Sequence, residues 1–276
     1  MSDLYNNDFI RVDLMVCPAC GADNLRKTTT SLDCPNCEKS YRTESGKIYF
    51  TESYFDVDKW EGESAEFDVL KRGSIPYKRI DKIDGPRLRD IKKYLKVDGF
   101  ALNLGSGAYN YDGYVNIDLG RYPDVHIVAS LENIPYKDNS IDLLISNSVL
   151  EHIYDYENVV NEINRVLKPG GYVYLCVPSQ CIRHHEYDYH RWTMPGLLTL
   201  LNQFQIVEYG SCRGVAYAII PLVEALIVYK TKPGSLRDGL RKLWLFVSRP
   251  LYRINSDNSP EYIAMSNTIY AIGKKK

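Results

Sequence analysis

The chain has no uninterrupted run of about 18 apolar residues, the length a membrane-spanning helix needs. Its first residues show no basic, apolar, small-residue leader. These absences predict a cytoplasmic protein that meets a membrane only peripherally, at the inner face. An excess of one charge is also missing: 34 Lys and Arg stand against 35 Asp and Glu, a net charge of −1. With a pI near 6.5, and an N-terminal segment of only moderate basicity without interleaved stacking aromatics, nucleic acid is a disfavoured partner. Histidine is scarce, with five in 276 residues. What is present is ordinary for a globular chain, 45% hydrophobic and 25% charged. That length allows one sizeable core and a small appendage.

The appendage is residues 1–50. Four of the seven cysteines form two C-P-x-C knuckles, Cys17-Pro-Ala-Cys20 and Cys34-Pro-Asn-Cys37. Each knuckle can turn two thiolates onto one metal, and two knuckles complete a tetrahedral site of four sulfurs. The reading is a structural zinc ribbon, since four thiolates leave no open position for catalysis. Two redox pairs fit the C-P-x-C repeat less well. Such a small unit has little core, so the metal supplies folding free energy. Cys176, Cys181 and Cys212 read as ordinary buried thiols. Residues 51–83 are polar and weakly periodic, a linker. A helix is expected from Asp84-Gly-Pro86, with Leu88, Ile91 and Leu95 on one face.

The organising stretch is Ala101 to Gly120, read as strand, glycine turn, strand. Ala101-Leu-Asn-Leu104 is a buried parallel strand, and Gly105-Ser106-Gly107 lets the backbone turn and a ligand approach closely. Tyr114-Val-Asn-Ile117 is the next strand. Asp118 at its carboxyl end is placed to accept both hydroxyls of a ribose. A dinucleotide-binding dehydrogenase is disfavoured, because G-x-G-x-x-G should open a full helix with its acid about 20 residues on. Here Asp118 follows Gly105 by 13 residues.

Further strands are expected at Val125–Val128, Ile141–Ile145, Tyr172–Val177, Phe204–Tyr209 and Thr268–Ile272. A helix carries Val159, Val160, Ile163 and Val166 and stops at Lys168-Pro-Gly-Gly171. His126 reads as an edge or surface residue. Gln180 to Trp192 holds His184, His185 and His190 with Glu186, Asp188 and Arg191. No H-x-x-x-H helix or paired-carboxylate spacing commends a metal site there, and Pro178 argues for a loop. Thr193 caps the following helix. Residues 210–267 are too long for a plain loop and read as a helical insertion. Its Leu240–Pro250 part mixes aromatics and basics, as a lid or as a membrane-surface helix would.

Three blocks taken together, LNLGSG…GYVNIDL, SLENIPYKDNSIDLLISNSVLEHI and NEINRVLKPGGYVYLCVP, resemble class I S-adenosylmethionine-dependent methyltransferases, of the methyltransferase type 11 kind. The resemblance runs in order over residues 101–178. It implies an α/β, Rossmann-like seven-stranded sheet over residues 84–276, with 210–267 inserted before the last strand. The N-terminal unit is similar to zinc ribbons that precede some methyltransferase domains.

The resemblance implies that S-adenosylmethionine is the cofactor. Gly105, Ser106 and Gly107 would admit the donor against backbone, and Asp118 would bind its ribose. Ser130 and Leu131 would flank the adenine, Ser130 standing where an acid is common. Asn103 likewise replaces an acid. Asn147 would lie near the methyl. The acceptor is expected to be a small molecule, a saccharide or a lipid-linked sugar, methylated at oxygen. His152 and His190 are the candidate bases, and 214–254 is the candidate membrane contact. The alternatives are an rRNA or tRNA methyltransferase reading RNA through its ribbon, or a non-catalytic scaffold on this fold.

Overall fold

The computed structural model describes residues 7–54, 91–109, 111–232, 234–253 and 258–276. The expected linker beyond Tyr54 and the helix start at Asp84-Gly-Pro86 lie outside them. Ile91, from that helix, is buried, and a 3-10 turn Lys92–Tyr94 follows it.

Eleven described strands form one sheet. In chain order they are β1 Arg26–Lys27, β2 Ser31–Asp33, β3 Ser40–Glu44, β4 Lys47–Tyr49, β5 Ala101–Leu104 and β6 Val115–Asp118. Then come β7 Ile127–Val128, β8 Ile141–Asn147, β9 Leu167–Pro178, β10 Phe204–Arg213 and β11 Thr268–Lys275. The spatial order is β1-β2-β3-β4-β7-β6-β5-β8-β9-β11-β10. From β7 to β9 the strands are parallel, while β11 lies antiparallel between β9 and β10. The seven strands from β7 to β10 therefore make the doubly wound, Rossmann-like sheet, with its chain reversal between β5 and β8. A ligand crevice is expected outside the carboxyl ends of strands at such a reversal. All residues of β5 and β6 are buried, which is why these strands read as continuous rather than alternating apolar runs.

The N-terminal unit is not set apart from this sheet. β4 pairs in parallel with β7, through Ile48 with Ile127 and Tyr49 with Val128. Met15 bridges Tyr136, whose hydroxyl donates to the Ile10 carbonyl at 2.7 Å. Met15, Leu32, Tyr41 and Ile48 join the same core as Leu102, Ile117 and Ile127. The crossovers 105–114 and 119–126 contain no helix among their described residues. Ribbon side chains thus share the core that these short crossovers leave. This pairing also corrects the reading of His126: β4 covers the β7 edge, and His126 is 7% exposed.

Among the described residues, beyond the single N-terminal turn Asn7–Ile10, five α-helices complete the fold: α1 Tyr156–Val166, α2 Met194–Leu200, α3 Val215–Lys230, α4 Ser235–Ser248 and α5 Pro260–Met265. Asp155 caps α1 by accepting the Asn158 amide, and Thr193 caps α2 by accepting that of Gly196. α1 buries Val159, Val160, Ile163 and Val166 on the sheet. α3 to α5 make up most of the insertion. α3 and α4 are clamped by Glu224 and Arg241, both buried, with Arg241 Nε 3.0 Å from Glu224 Oε1.

Candidate active site

The cysteine knuckles turn alike. Gly21 and Glu38, each just after a knuckle, both have positive φ, 74° and 59°. Cys17 and Cys34 each donate an amide across the knuckle, to Ala22 and Lys39. Sγ of Cys17 lies 3.6 Å from that of Cys37, and Sγ of Cys20 3.5 Å from that of Cys34. Thiolates on one tetrahedral zinc stand about 3.8 Å apart, so the four sulfurs fit a metal with little movement.

At the carboxyl ends of the parallel strands lies a cavity of about 630 Å³. The turn after β5 forms one part of its lining. Gly105 and Gly107 have φ of 63° and 54°, the left-handed region. A Cβ at Gly105 would collide with both Val149 methyls, whereas one at Gly107 would meet only open space. Ser106 Oγ is buried without a partner on the same turn. Asp118 accepts the amides of Gly107 at 2.7 Å and Gly120 at 2.6 Å. Burial raises its carboxyl above the ordinary value, against the pull of those amides. An open cradle, an unpartnered hydroxyl and a carboxylate with lone pairs to spare fit an adenosyl ligand with an amino-acid tail.

Gly105, Ser106, Gly107, Asp118, Ser130, Leu131, Asn147 and His152 all line this cavity. His190 does not. Its ring meets Tyr156 edge-on and Trp192 at a tilt, and its Nε2 is 3.3 Å from the Tyr154 carbonyl. Glu132 lines the cavity and accepts from Ser130 Oγ at 3.3 Å, so an acid stands two residues from the expected position. Asn103 is spent on a buried pair, donating to Asn116 Oδ1 at 3.0 Å. Ser148, at the end of β8, holds φ 56° in the cavity wall, an unusual conformation for a non-glycine residue.

Another part of the lining is polar. Glu151 is 1% exposed, and neither carboxylate oxygen has a hydrogen-bond partner. Burial pushes its carboxyl up to about 7. His152 Nε2 lies 4.0 Å from Glu151 Oε1 and 3.3 Å from His184 Nε2. His152 Nδ1 is 2.8 Å from the Tyr187 carbonyl, which can only accept, so Nδ1 carries the hydrogen. Burial, then the neighbouring His184, hold His152 down at about 4. His184 Nδ1 is 3.0 Å from Asp188 Oδ2. Burial disfavours the His184 cation, but the adjacent Asp188 carboxylate outweighs it and lifts the group to about 10. Burial works against the Asp188 anion too, yet Arg191 and His184 hold it well below the usual carboxylate range.

The sequence pattern singles out His184 only as part of the polar stretch 180–192, whose spacing argues against a metal site, and does not single out Glu151. Glu151 had one signal, a lone acid inside Val149-Leu-Glu-His-Ile153. For His184 the histidine-rich stretch was visible but its pairing was not, because its partner His152 lies 32 residues upstream. The insertion closes the cavity with Tyr217, Ala218 and Pro221 of α3 and with Tyr252. No helix among the described residues is long and apolar enough to cross a membrane.

Residues 112–175 match the family model described as "Methyltransferase domain". The "Probable S-adenosylmethionine-dependent methyltransferase" of Mycolicibacterium smegmatis is 38% identical over 92 residues, 33% of this chain and 32% of that protein. The sarcosine/dimethylglycine N-methyltransferase of Halorhodospira halochloris is 25% identical over 146 residues, 44% of this chain and 52% of that one. The chain thus spans about a third of the first relative's length and half of the second's. Among solved structures, geranyl diphosphate C-methyltransferase from Streptomyces coelicolor A3(2) aligns over 72% of this chain and 82% of its own, at 11% identity and a TM-score of 0.45.

Proposed function

We propose that this chain, which carries a class I S-adenosylmethionine-dependent methyltransferase domain behind a four-cysteine ribbon, transfers methyl to an oxygen of a small-molecule, saccharide or lipid-linked acceptor. The observation that supports this best is that the Gly105–Asp118 cradle and the Glu151–His152–His184 corner line one and the same cavity. S-adenosylmethionine supplies the electrophilic methyl when bound. The chain's own work is to hold, align and dry the reactants, which is worth several kcal/mol through orientation alone.

In this reading Gly105, Ser106 and Gly107 receive the donor's amino-acid end. Asp118 takes the ribose hydroxyls. Ser130, Leu131 and Glu132 meet the adenine, and Asn147 lies beside the methyl. The acceptor enters under α3 and meets the corner that holds His152. Of the two histidines proposed as catalytic, His152 faces this space. Zinc on Cys17, Cys20, Cys34 and Cys37 is structural.

The outer side of the insertion exposes Leu222, Leu226, Leu243 and Phe246, with Lys230 and Lys242 exposed on the same two helices. That mixture supports peripheral contact through 214–254 with the anionic inner face of a membrane, where a lipid-linked acceptor would be met.

The test is calorimetric titration of S-adenosylmethionine and S-adenosylhomocysteine into the zinc-loaded protein and its Asp118→Ala variant. The expectation is micromolar binding, weakened about tenfold or more in the variant, as loss of a charged acceptor implies. Methyl incorporation is then screened over sugars, lipid-linked sugars and RNA. Folded protein that binds neither compound overturns the reading and leaves a non-catalytic scaffold. Salt-sensitive methylation of RNA moves the acceptor to nucleic acid.

A further inference from the structure

We propose that Glu151, His152 and His184 form a second metal site, for one divalent cation of the zinc, cobalt or ferrous type, at the acceptor end of the cavity. The three donor atoms lie within 4.8 Å of one another, and they come from two segments of the chain. The two histidine Nε2 atoms face each other at 3.3 Å, a hydrogen bond from His184 to His152 whose proton a bound cation would replace. Two nitrogens about 2.1 Å from one tetrahedral ion stand about 3.4 Å apart, so the pair is already at a metal's bite.

The outer partners are those a metal site needs. His152 Nδ1 donates to the Tyr187 carbonyl at 2.8 Å, and His184 Nδ1 stands in ion-pair contact with Asp188 Oδ2 at 3.0 Å, without hydrogen-bond geometry. Each ring is thereby turned so that Nε2 points at the shared space. Asp188 is fixed in turn by Arg191 and by the His184 amide, at 3.0 Å. Glu151 supplies the independent observation. It is 1% exposed, both oxygens lack a hydrogen-bond partner, and Oε1 is directed to within 4.0 Å of His152 Nε2. A buried, unpartnered carboxylate is costly, and a cation between it and the two imidazoles removes that cost. Two imidazoles and a carboxylate suit a borderline divalent ion. Three protein ligands leave at least one position open, and the cavity lies on that side.

The site stands without the methyl-transfer reading; its use in catalysis rests on that reading. There the open position would take the acceptor hydroxyl. Its proton, made easier to lose by the cation, would pass to solvent water as the oxygen–methyl bond forms and the donor's methyl–sulfur bond breaks to leave S-adenosylhomocysteine. His152 would serve as a ligand rather than as the base.

The test is Co²⁺ titration of the full chain with zinc already in the ribbon, followed by visible spectroscopy. One Co²⁺ per chain is expected, with d–d bands of nitrogen–oxygen coordination and without the intense near-ultraviolet band that thiolate ligation gives. Glu151→Gln, nearly the same shape, should weaken this binding about tenfold or more. His184→Ala should abolish it, and Asp188→Asn should weaken it about 10–100-fold through the ring it holds. Absence of those bands at saturating Co²⁺, or bands unchanged in both Glu151→Gln and His184→Ala, overturns the site. Co²⁺ binding and S-adenosylmethionine binding are read separately, so failure of one does not imitate failure of the other.

Discussion

Asp118 Oδ2 accepts the Gly107 amide at 2.7 Å, which ties the end of β6 to the glycine turn after β5. The turn's two glycines are asked for different things. Gly105 has left-handed φ and Val149 pressed against the place of its missing Cβ, while Gly107 has left-handed φ and open space. Gly105→Ala is therefore expected to lose about 2–4 kcal/mol of stability, from strain plus overpacking. Gly107→Ala should lose only about 1 kcal/mol but place a methyl in the cradle, cutting S-adenosylmethionine affinity about tenfold. Urea melts and calorimetry on both variants separate the effects. Equal losses of stability, or a Gly107→Ala protein that binds the donor normally, would contradict the cradle.

The ribbon's metal should be felt beyond the ribbon. β4 sits between β3 and β7, and the Phe50 amide donates to the Val128 carbonyl at 2.9 Å. Asn133 donates to the Pro18 carbonyl at 2.8 Å, next to the loop that carries Ser130 and Leu131. Chelation, or Cys37→Ser, is expected to speed amide exchange in 17–50 and along β7, and to weaken donor binding. Amides of β9 and β11 should stay protected, since their ladder is remote from the ribbon. Exchange in 17–50 that is indifferent to the chelator would remove the structural metal.

The parallel strands were legible because burial on both faces leaves continuous apolar runs, as in Ala101–Leu104 and Ile141–Ile145. The helix cap at Thr193 follows from local chemistry too. Docking of the ribbon was not legible, because it depends on Met15 meeting Tyr136, 121 residues on, and no local pattern encodes that bridge. The same docking turned His126 from an expected surface group into a buried one. In the cavity, the Gly105 turn and Asp118 were visible as spacing along one strand–turn–strand unit. His184 escaped because its chemistry comes from His152 and Glu151 on another segment. Glu151 escaped because its meaning lies in burial rather than in residue type.

The insertion depends on one buried ion pair. Arg241 donates Nε at 3.0 Å to Glu224, and their side chains are 9% and 4% exposed. Removing one member leaves a buried charge, a loss of about 3–5 kcal/mol. α3 also carries Tyr217 and Pro221 into the cavity wall. Glu224→Gln is expected to loosen α3 against α4 and raise the acceptor KM more than it lowers donor affinity. Glu224→Met with Arg241→Met should recover most of the stability, as replacement by packed apolar residues does. Thermal melts of the two singles and the double close this cycle, and additive losses would show that the pair does not act as a unit.

His126 should give the fold an acid-side weakness. Its Nδ1 accepts the Asn116 amide at 2.9 Å, so the neutral ring is the form built into β6 and β7. Burial, then the Lys47 cation, hold the group down at about 4, against a partial pull from Asp124. Lys47 cannot move off easily, because its ammonium is fixed on the carbonyls of Tyr122, Pro123 and Val125. The unfolded chain binds a proton at His126 near pH 6.5, where the folded one does not. This contribution to stability is therefore complete above about pH 6.5 and is lost progressively as pH falls toward 4. The whole step is at most about 3 kcal/mol, at 1.36 kcal/mol per unit. Urea melts between pH 7 and 4 should show the slope in the wild type and a flatter profile in His126→Gln. Parallel profiles for the two proteins would mean that the histidine already carries its proton in the folded state.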